Sequence, residues 1–440
     1  MRAFFRSFIR HRPLQASTGA RPQPQKVQVT RAAMSGGTTA AAAVLYACSM
    51  SSPKALGAVP EDNAAKAHHA KDGKGFVNPW PSWVDFNPLV IGGQMIWRRV
   101  TGKWTWPDTT PPTVTVVQPT FLPSRTSSTS LRATWLGHAC YYVEFPSGLR
   151  VLFDPVFEDR CSPFSFMGPK RYTEPPCRIN DLPVVDIVVI SHSHYDHLSH
   201  PTVVKLHEAH PKAHFLVGLG LKKWFHECGI ENVEEMDWWE DIDITLSATA
   251  GEKRISSASG STSPEHKKKD EDITARISCL PCQHTSARTA FDKGQTLWCS
   301  WAVSSGGKSV WFGGDTGYRH VPELEKGVDD YGPDYADLPH CPAFAQIGSL
   351  RGPFDLGLIP IGAYDPRFIM SSMHANPFDS VNIFLDTKCK RAMGIHWGTW
   401  VLTSEDVLEP PILLRQAMKW KGLPETGVFD VCNIGESREF

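Results

Sequence analysis

The sequence predicts an α/β fold in which two β-sheets stack as a sandwich with helices outside them. Two rounds of β-rich runs are each closed by helical segments, the pattern of layered sheets covered by helices. In addition, a series of metal-capable residues stands at the ends of β-rich or apolar runs, where a strand delivers the next residue to one sheet edge.

The elements follow in order. Leu131–Leu136, Tyr141–Phe145, Arg150–Phe153 and Val185–Ile190 read as strands, with a Pro-Ser-Gly turn at 146–148. Thr202–His210 and Leu219–Cys228 read as helices that close this first round. Strands resume at Ile273–Leu280, Leu297–Val303, Ser309–Phe312 and Leu356–Pro360. Pro377–Asp386 and Pro411–Trp420 open with prolines, which suit the first turn of a helix.

Upstream of this body the composition changes. Residues 1–60 contain no Asp or Glu but carry Arg2, Arg6, Arg10, Arg12, Arg21 and Arg31. Phe4, Phe5, Phe8 and Ile9 recur at helical spacing, away from Arg2, Arg6 and Arg10. A basic, acid-free amphipathic start reads as a mitochondrial targeting segment, with peripheral association on other intracellular membranes and a disordered basic tail as alternatives. Residues 51–75 look like linker, so 61–123 is expected to be linker plus an aromatic, Pro-rich extension. Phe76, Trp80, Trp83, Phe86, Trp97, Trp104 and Trp106 suit a membrane interface, although such rings also pack on cores. The main domain is then 124–440. Within it, 251–272 is a Ser-rich, charged insertion, and 319–338 is a second one.

Composition excludes some classes. A formal net charge of −1 argues against broad nucleic-acid binding, which needs a basic patch. No run approaches the roughly 20 apolar residues that span a bilayer. Eleven cysteines are scattered, and Cys279-Leu280-Pro281-Cys282 leads into a histidine rather than a helix, so structural thiols in a reducing compartment are expected.

The chemistry concentrates in His192-Ser193-His194-Tyr195-Asp196-His197, an H-x-H-x-D-H run straight after the apolar Val184–Ile190. Four metal-capable side chains that close cannot all reach one ion, whereas a His pair can face one metal and an Asp-His pair a second. His284, Asp315 and His396 follow at long intervals, each closing such a run. Imidazole with carboxylate suits zinc or a similar borderline ion.

These residues resemble the metallo-β-lactamase superfamily. Thr134–Ala139, Asp154–Phe157, Gly168–Arg171, Asp237–Glu240, Ile359–Tyr364 and His396–Thr399 are further similar, in order, to N-acylphosphatidylethanolamine-hydrolysing phospholipase D, from about Phe76 to the C-terminus. The resemblance implies an αββα four-layer sandwich and two zinc ions. His192, His194 and His284 hold one, Asp196, His197 and His396 the other, and Asp315 bridges both. It implies a hydroxide between metals about 3.5–4 Å apart that attacks phosphorus. The products are phosphatidic acid and an N-acylethanolamine. Asp315 and His374 are then catalytic, while Tyr195 and His374 contact the substrate.

Each assignment has a plainer reading: Tyr195 as a core aromatic, His374 as a helix-capping histidine, Asp154 as a turn cap rather than an orienter of a ligand. Arg367 either holds an anionic headgroup or forms an ordinary ion pair. The partners implied are a membrane phospholipid, met by peripheral docking, and a second copy of the chain. Alternatives on the same fold are a lactonase, a thioesterase or a nuclease; from another class, a non-catalytic scaffold, which predicts lost ligands where none is lost.

Overall fold

The computed structural model describes residues 46–440 except 86–87, 103–105, 127, 249–271, 290 and 326. Most of the leader and almost all of the 251–272 insertion, together with Phe86 and Trp104, therefore lie outside the described residues.

Two mixed sheets form the body. One runs, in spatial order, Tyr46–Ser51, Asp241–Ala248, Ile273–Leu280, Ser300–Ser305, Lys308–Phe312, Leu356–Pro360, Ala392–Ile395 and Phe429–Asp430. The other runs Ser437–Glu439, Arg132–Gly137, Cys140–Glu144, Arg150–Phe153, Ile187–Val189, His214–Gly218 and Val233–Met236.

Side-chain alternation sorts residues of the second sheet between two layers. Trp135, Tyr141, Phe153 and Val189 join a core shared with Trp301, Trp311 and Phe312 of the first sheet, and Phe153 meets Phe312 with ring centroids 4.9 Å apart. Their neighbours Leu136, Tyr142, Leu152 and Val188 face the other way, onto Val203 and Leu206 of helix His200–Ala209 and Phe225 of helix Lys222–Glu227. Helices Ala343–Leu350, Pro377–Asp386 and Glu409–Trp420 pack together, Pro377–Asp386 against strand Leu356–Pro360 and Glu409–Trp420 against Phe429–Asp430. Helix, sheet, sheet and helix are the four layers expected.

Several expectations need correction. Strand Tyr46–Ser51 falls inside the segment read as a leader, yet it pairs antiparallel with Asp241–Ala248 and buries every second side chain more than the next. Residues 51–75 are no free linker either. The Asp237 carboxylate takes Lys66 Nζ at 2.9 Å, His68 Nε2 at 2.7 Å and His69 Nε2 at 3.0 Å. Trp80 and His68 both stack on Trp238, and Phe76 packs against the core, so these rings serve the fold instead of a membrane. Trp97 and Trp106 do face outward, 64% and 53% exposed. The 319–338 insertion is pinned down: Tyr331 Oη donates to Asp379 Oδ1 at 2.5 Å, and the Arg319 guanidinium lies 3.9 Å from the Tyr331 ring. The expected helix Leu219–Cys228 is shorter, because Gly220 at φ 88° turns the chain first. All eleven cysteines are free thiols.

Candidate metal centre

The pairing directions explain how scattered residues meet. Strands Arg132–Gly137, Arg150–Phe153 and Ile187–Val189 run the same way in one sheet, as do Ile273–Leu280, Lys308–Phe312 and Ala392–Ile395 in the other. The chain just beyond their ends carries His138, Asp154, His192, His284, Asp315 and His396. Three of these, His138 (φ 49°), Asp154 (φ 37°) and His396 (φ 63°), occupy the left-handed region that non-glycine residues seldom adopt. Such strain persists where surrounding structure imposes it, typically at functional sites.

Two donor groups converge. In the first, His194 Nδ1 lies 2.8 Å from His192 Nε2 and 3.2 Å from His284 Nε2, and Asp315 Oδ2 is 3.8 and 3.7 Å from the latter two. In the second, Asp196 Oδ2 is 3.4 Å from His197 Nε2, 3.3 Å from His396 Nε2 and 3.0 Å from His138 Nε2. Asp315 stands between them: its Oδ1 is 3.2 Å from His197 Nε2 and its Oδ2 2.9 Å from His396 Nε2.

The far side of several rings is already taken. His284 Nδ1 donates to the Met373 carbonyl at 2.9 Å, and His197 Nδ1 to Asp154 Oδ2 at 2.6 Å. Ser191 Oγ donates to Asp154 Oδ2 at 2.5 Å and so accepts from His192 Nδ1 at 2.8 Å. Their Nε2 lone pairs are thereby turned inward, the usual work of partners behind metal ligands. His197 Nε2 and Asp315 Oδ1 are buried without a hydrogen-bond partner among the described residues. Lone pairs crowded together in a buried site repel unless a cation lies among them, so the residues fit bound metal. Burial and neighbouring imidazoles hold His192 and His284 well below the usual histidine range, keeping them neutral. Burial would raise Asp315, but His197 and His396 outweigh it and hold the carboxylate ionised. Against their own burial, Asp315 and its neighbouring carboxylates raise both imidazoles in return, so positive charge is held at this point whether by protons on the two rings or by metal.

The other expected residues are placed as follows. His374 lies above the same centre, its ring 5.0 Å from that of His284 and 5.1 Å from that of His396, with Nδ1 3.8 Å from Asp315 Oδ2. Burial drops its pKa to about 3, so it is a neutral imidazole. Tyr195 donates its hydroxyl to the Arg288 carbonyl at 3.2 Å, and the Arg288 guanidinium covers its ring at 4.0 Å. Both line a cavity of about 580 Å³ with Phe164, Pro163, His200 and Pro201. Asp154 orients His197 and, through Ser191, His192. Arg367 is an ion-pair residue: it reaches Asp330 Oδ2 at 3.0 Å and Asp379 Oδ2 at 2.8 Å.

Sequence reasoning missed Ser191, Arg288 and His138. His138 was visible only as a member of the Thr134–Ala139 block. The His68–His69–Asp237 cluster is the contrast case: Lys66 neutralises its carboxylate and both imidazoles donate to it, so no charge is left for a metal to balance.

A profile of the Beta-lactamase superfamily domain matches residues 149–397, which with the donor groups defines a metal-dependent hydrolase. The chain is 37% identical over 316 residues to N-acyl-phosphatidylethanolamine-hydrolyzing phospholipase D 1 of Caenorhabditis elegans, covering 70% of this chain and 76% of that protein. It is 31% identical to the mitochondrial N-acyl-phosphatidylethanolamine-hydrolyzing phospholipase D of Saccharomyces cerevisiae, over 66% of this chain and 53% of that one. An isothiocyanate hydrolase from Delia radicum gut bacteria superposes with a TM-score of 0.44 at 15% identity, over 70% of this chain and 98% of that one. The chain belongs to the N-acylphosphatidylethanolamine-hydrolysing phospholipase D family of the metallo-β-lactamase superfamily, and it is an enzyme of the phospholipase D type.

Proposed function

We propose that the enzyme uses two zinc ions to hydrolyse N-acylphosphatidylethanolamine in a membrane to phosphatidic acid and an N-acylethanolamine. The observation that carries this reading is Asp315, one carboxylate with each oxygen turned to a histidine and both donor groups around it. Bound zinc supplies an acidified water and charge that offsets the phosphodiester anion. Water contributes the new oxygen on phosphorus, the bond from phosphorus to the ethanolamine oxygen breaks, and the water proton ends on that oxygen. His374, neutral and facing the centre, carries the proton. Because the Tyr195 hydroxyl is spent on the Arg288 carbonyl, Tyr195 shapes the wall of the cavity beside the H-x-H-x-D-H run, where Arg288 and Arg160 bring positive charge and Glu158 and Asp159 negative.

The lipid stays in its bilayer, so the protein docks. Among the described residues no helix is long and apolar enough to cross a membrane. Helix Pro88–Val100 exposes Ile96, Trp97 and Val100 and ends in Arg98 and Arg99, a composition suited to an anionic interface. Phe164, Phe166, Met167 and Phe291 add exposed apolar side chains on loops next to the cavity-lining residues. The acid-free start and the mitochondrial name of the yeast relative favour a mitochondrial membrane.

Purified, zinc-loaded protein offered N-acylphosphatidylethanolamine, a lactone and single-stranded RNA side by side tests the reading. Release of the N-acylethanolamine alone is expected. Turnover of the lactone or RNA without the lipid overturns it in favour of another hydrolase of this fold.

A further inference from the structure

His138 belongs to neither of the two ligand sets that the family resemblance implies, yet its buried ring stands among the donors of the second group. Its ring lies 4.2 Å from that of His396, and its Nε2 is 3.0 Å from Asp196 Oδ2. The backbone of His138 is fastened on both sides: its carbonyl accepts from His396 N–H at 3.1 Å and from Trp135 Nε1 at 2.8 Å, and its N–H donates to Thr399 Oγ1 at 2.7 Å. These bonds hold it in the left-handed conformation, so the ring is aimed by the same segment that presents His396.

We propose that His138 is a positioning residue, which donates its Nε2–H to Asp196 and fixes that carboxylate for the metal shared with His197 and His396. An ionised carboxylate can only accept, so the proton of the imidazole sits on Nε2. An Nε2 that carries hydrogen cannot bind metal, and Nδ1 has no hydrogen-bond partner among the described residues. His138 therefore bonds the same Asp196 Oδ2 that faces His197 and His396, taking up one lone pair of that oxygen and leaving the others for metal. Among the described residues its side chain meets Asp196, His197 and His396 of the second group and no ligand of the first, which makes the effect selective. This inference rests on the reading of the second group as a metal site.

The test compares His138→Gln with His138→Leu by zinc titration against a chelating dye and by the visible spectrum of the cobalt-loaded enzyme. Gln keeps a donor near the Nε2 position, and both variants bear the same backbone constraint. In His138→Leu, affinity for one of the two metal equivalents is expected to fall on the order of 10- to 100-fold. The other equivalent should be untouched, and His138→Gln should lie within a few-fold of wild type. The cobalt bands, per metal bound, should be unchanged. Equal affinities in wild type, Gln and Leu overturn the inference, as does a changed cobalt spectrum, which makes His138 a ligand. A wild-type enzyme that binds a single metal instead sinks the two-metal reading itself. If His138→Leu does not fold, His138→Glu replaces it: the length matches Gln, but an ionised carboxylate cannot donate to Asp196. Glu behaving like Gln then overturns the inference.

Discussion

The side-chain amide of Asn78 donates to the backbone carbonyl of His284 at 2.6 Å. Four residues on, Ser82 Oγ donates to the side-chain carbonyl of Gln283 at 2.5 Å, and the Gln283 amide returns a bond to the Ser82 carbonyl. A segment outside both sheets thus braces the strand end that delivers a metal ligand. Its other end is clamped at Asp237, so residues 66–84 behave as a strut between that clamp and the centre.

Asp315→Asn should be the most damaging single ligand change. The amide keeps the shape but loses the charge that both donor groups share. Metal analysis is expected to drop from about two ions per chain to one or fewer, with activity falling alongside. An Asn variant that keeps both metals and full activity refutes the bridging role.

His374→Ala separates chemistry from metal binding. If the ring moves the proton, kcat falls on the order of 10²- to 10⁴-fold while metal content stays at the wild-type value. Loss of metal instead would make His374 a ligand, and His396 would be the assignment to revisit.

The Asp237 clamp predicts a pH effect on stability. Burial lowers the pKa of His68 more than Asp237 raises it. A histidine with a depressed folded pKa is protonated first in the unfolded chain, so stability declines as pH drops below about 6.5. His68→Gln can still donate to Asp237 but does not titrate. Melting temperatures at neutral pH and about pH 5 should therefore fall less in His68→Gln than in wild type. Equal falls remove His68 from the account.

Tyr331→Phe tests the strut beneath His374. The hydroxyl serves Asp379 and also lies 2.9 Å from Asn376 Oδ1, two residues from His374. Its loss leaves a buried carboxylate one donor short and is expected to lower unfolding free energy by about 1–3 kcal/mol in denaturant titrations. Unchanged stability shows that Arg319 and Arg367 satisfy Asp379 unaided.

Trp97→Glu paired with Val100→Glu addresses docking. Both side chains point away from the body, so folding and turnover of detergent-dispersed lipid should stay near wild type. Co-sedimentation with anionic vesicles should fall clearly. Undiminished sedimentation shifts the docking surface to the Phe164–Met167 and Phe291 loops.

Much of the centre was legible because metal ligands follow strands: Ile273–Leu280 announces itself by apolar and polar residues in alternation, and Leu356–Pro360 by a short aliphatic run. Strands Phe429–Asp430 and Ser437–Glu439 were not, since runs of two and three residues carry no period. Val233–Met236 was hidden by its two glutamates, which an edge position tolerates. His138 and Ser191 escaped for another reason. Their roles lie in contacts with residues far along the chain, Thr399, Asp154 and Asp196, and no local pattern encodes such a contact. His68 and Asp237 are likewise separated by 169 positions.

Strand Tyr46–Ser51 sets a limit on maturation. It forms the margin of the eight-stranded sheet, and its removal would lay bare the polar backbone of Asp241–Ala248 as a template for foreign strands. A peptidase that trims the proposed leader therefore has the residues before Tyr46 to work with. A cut beyond Ser51 would produce a chain prone to self-association, not a lighter mature enzyme.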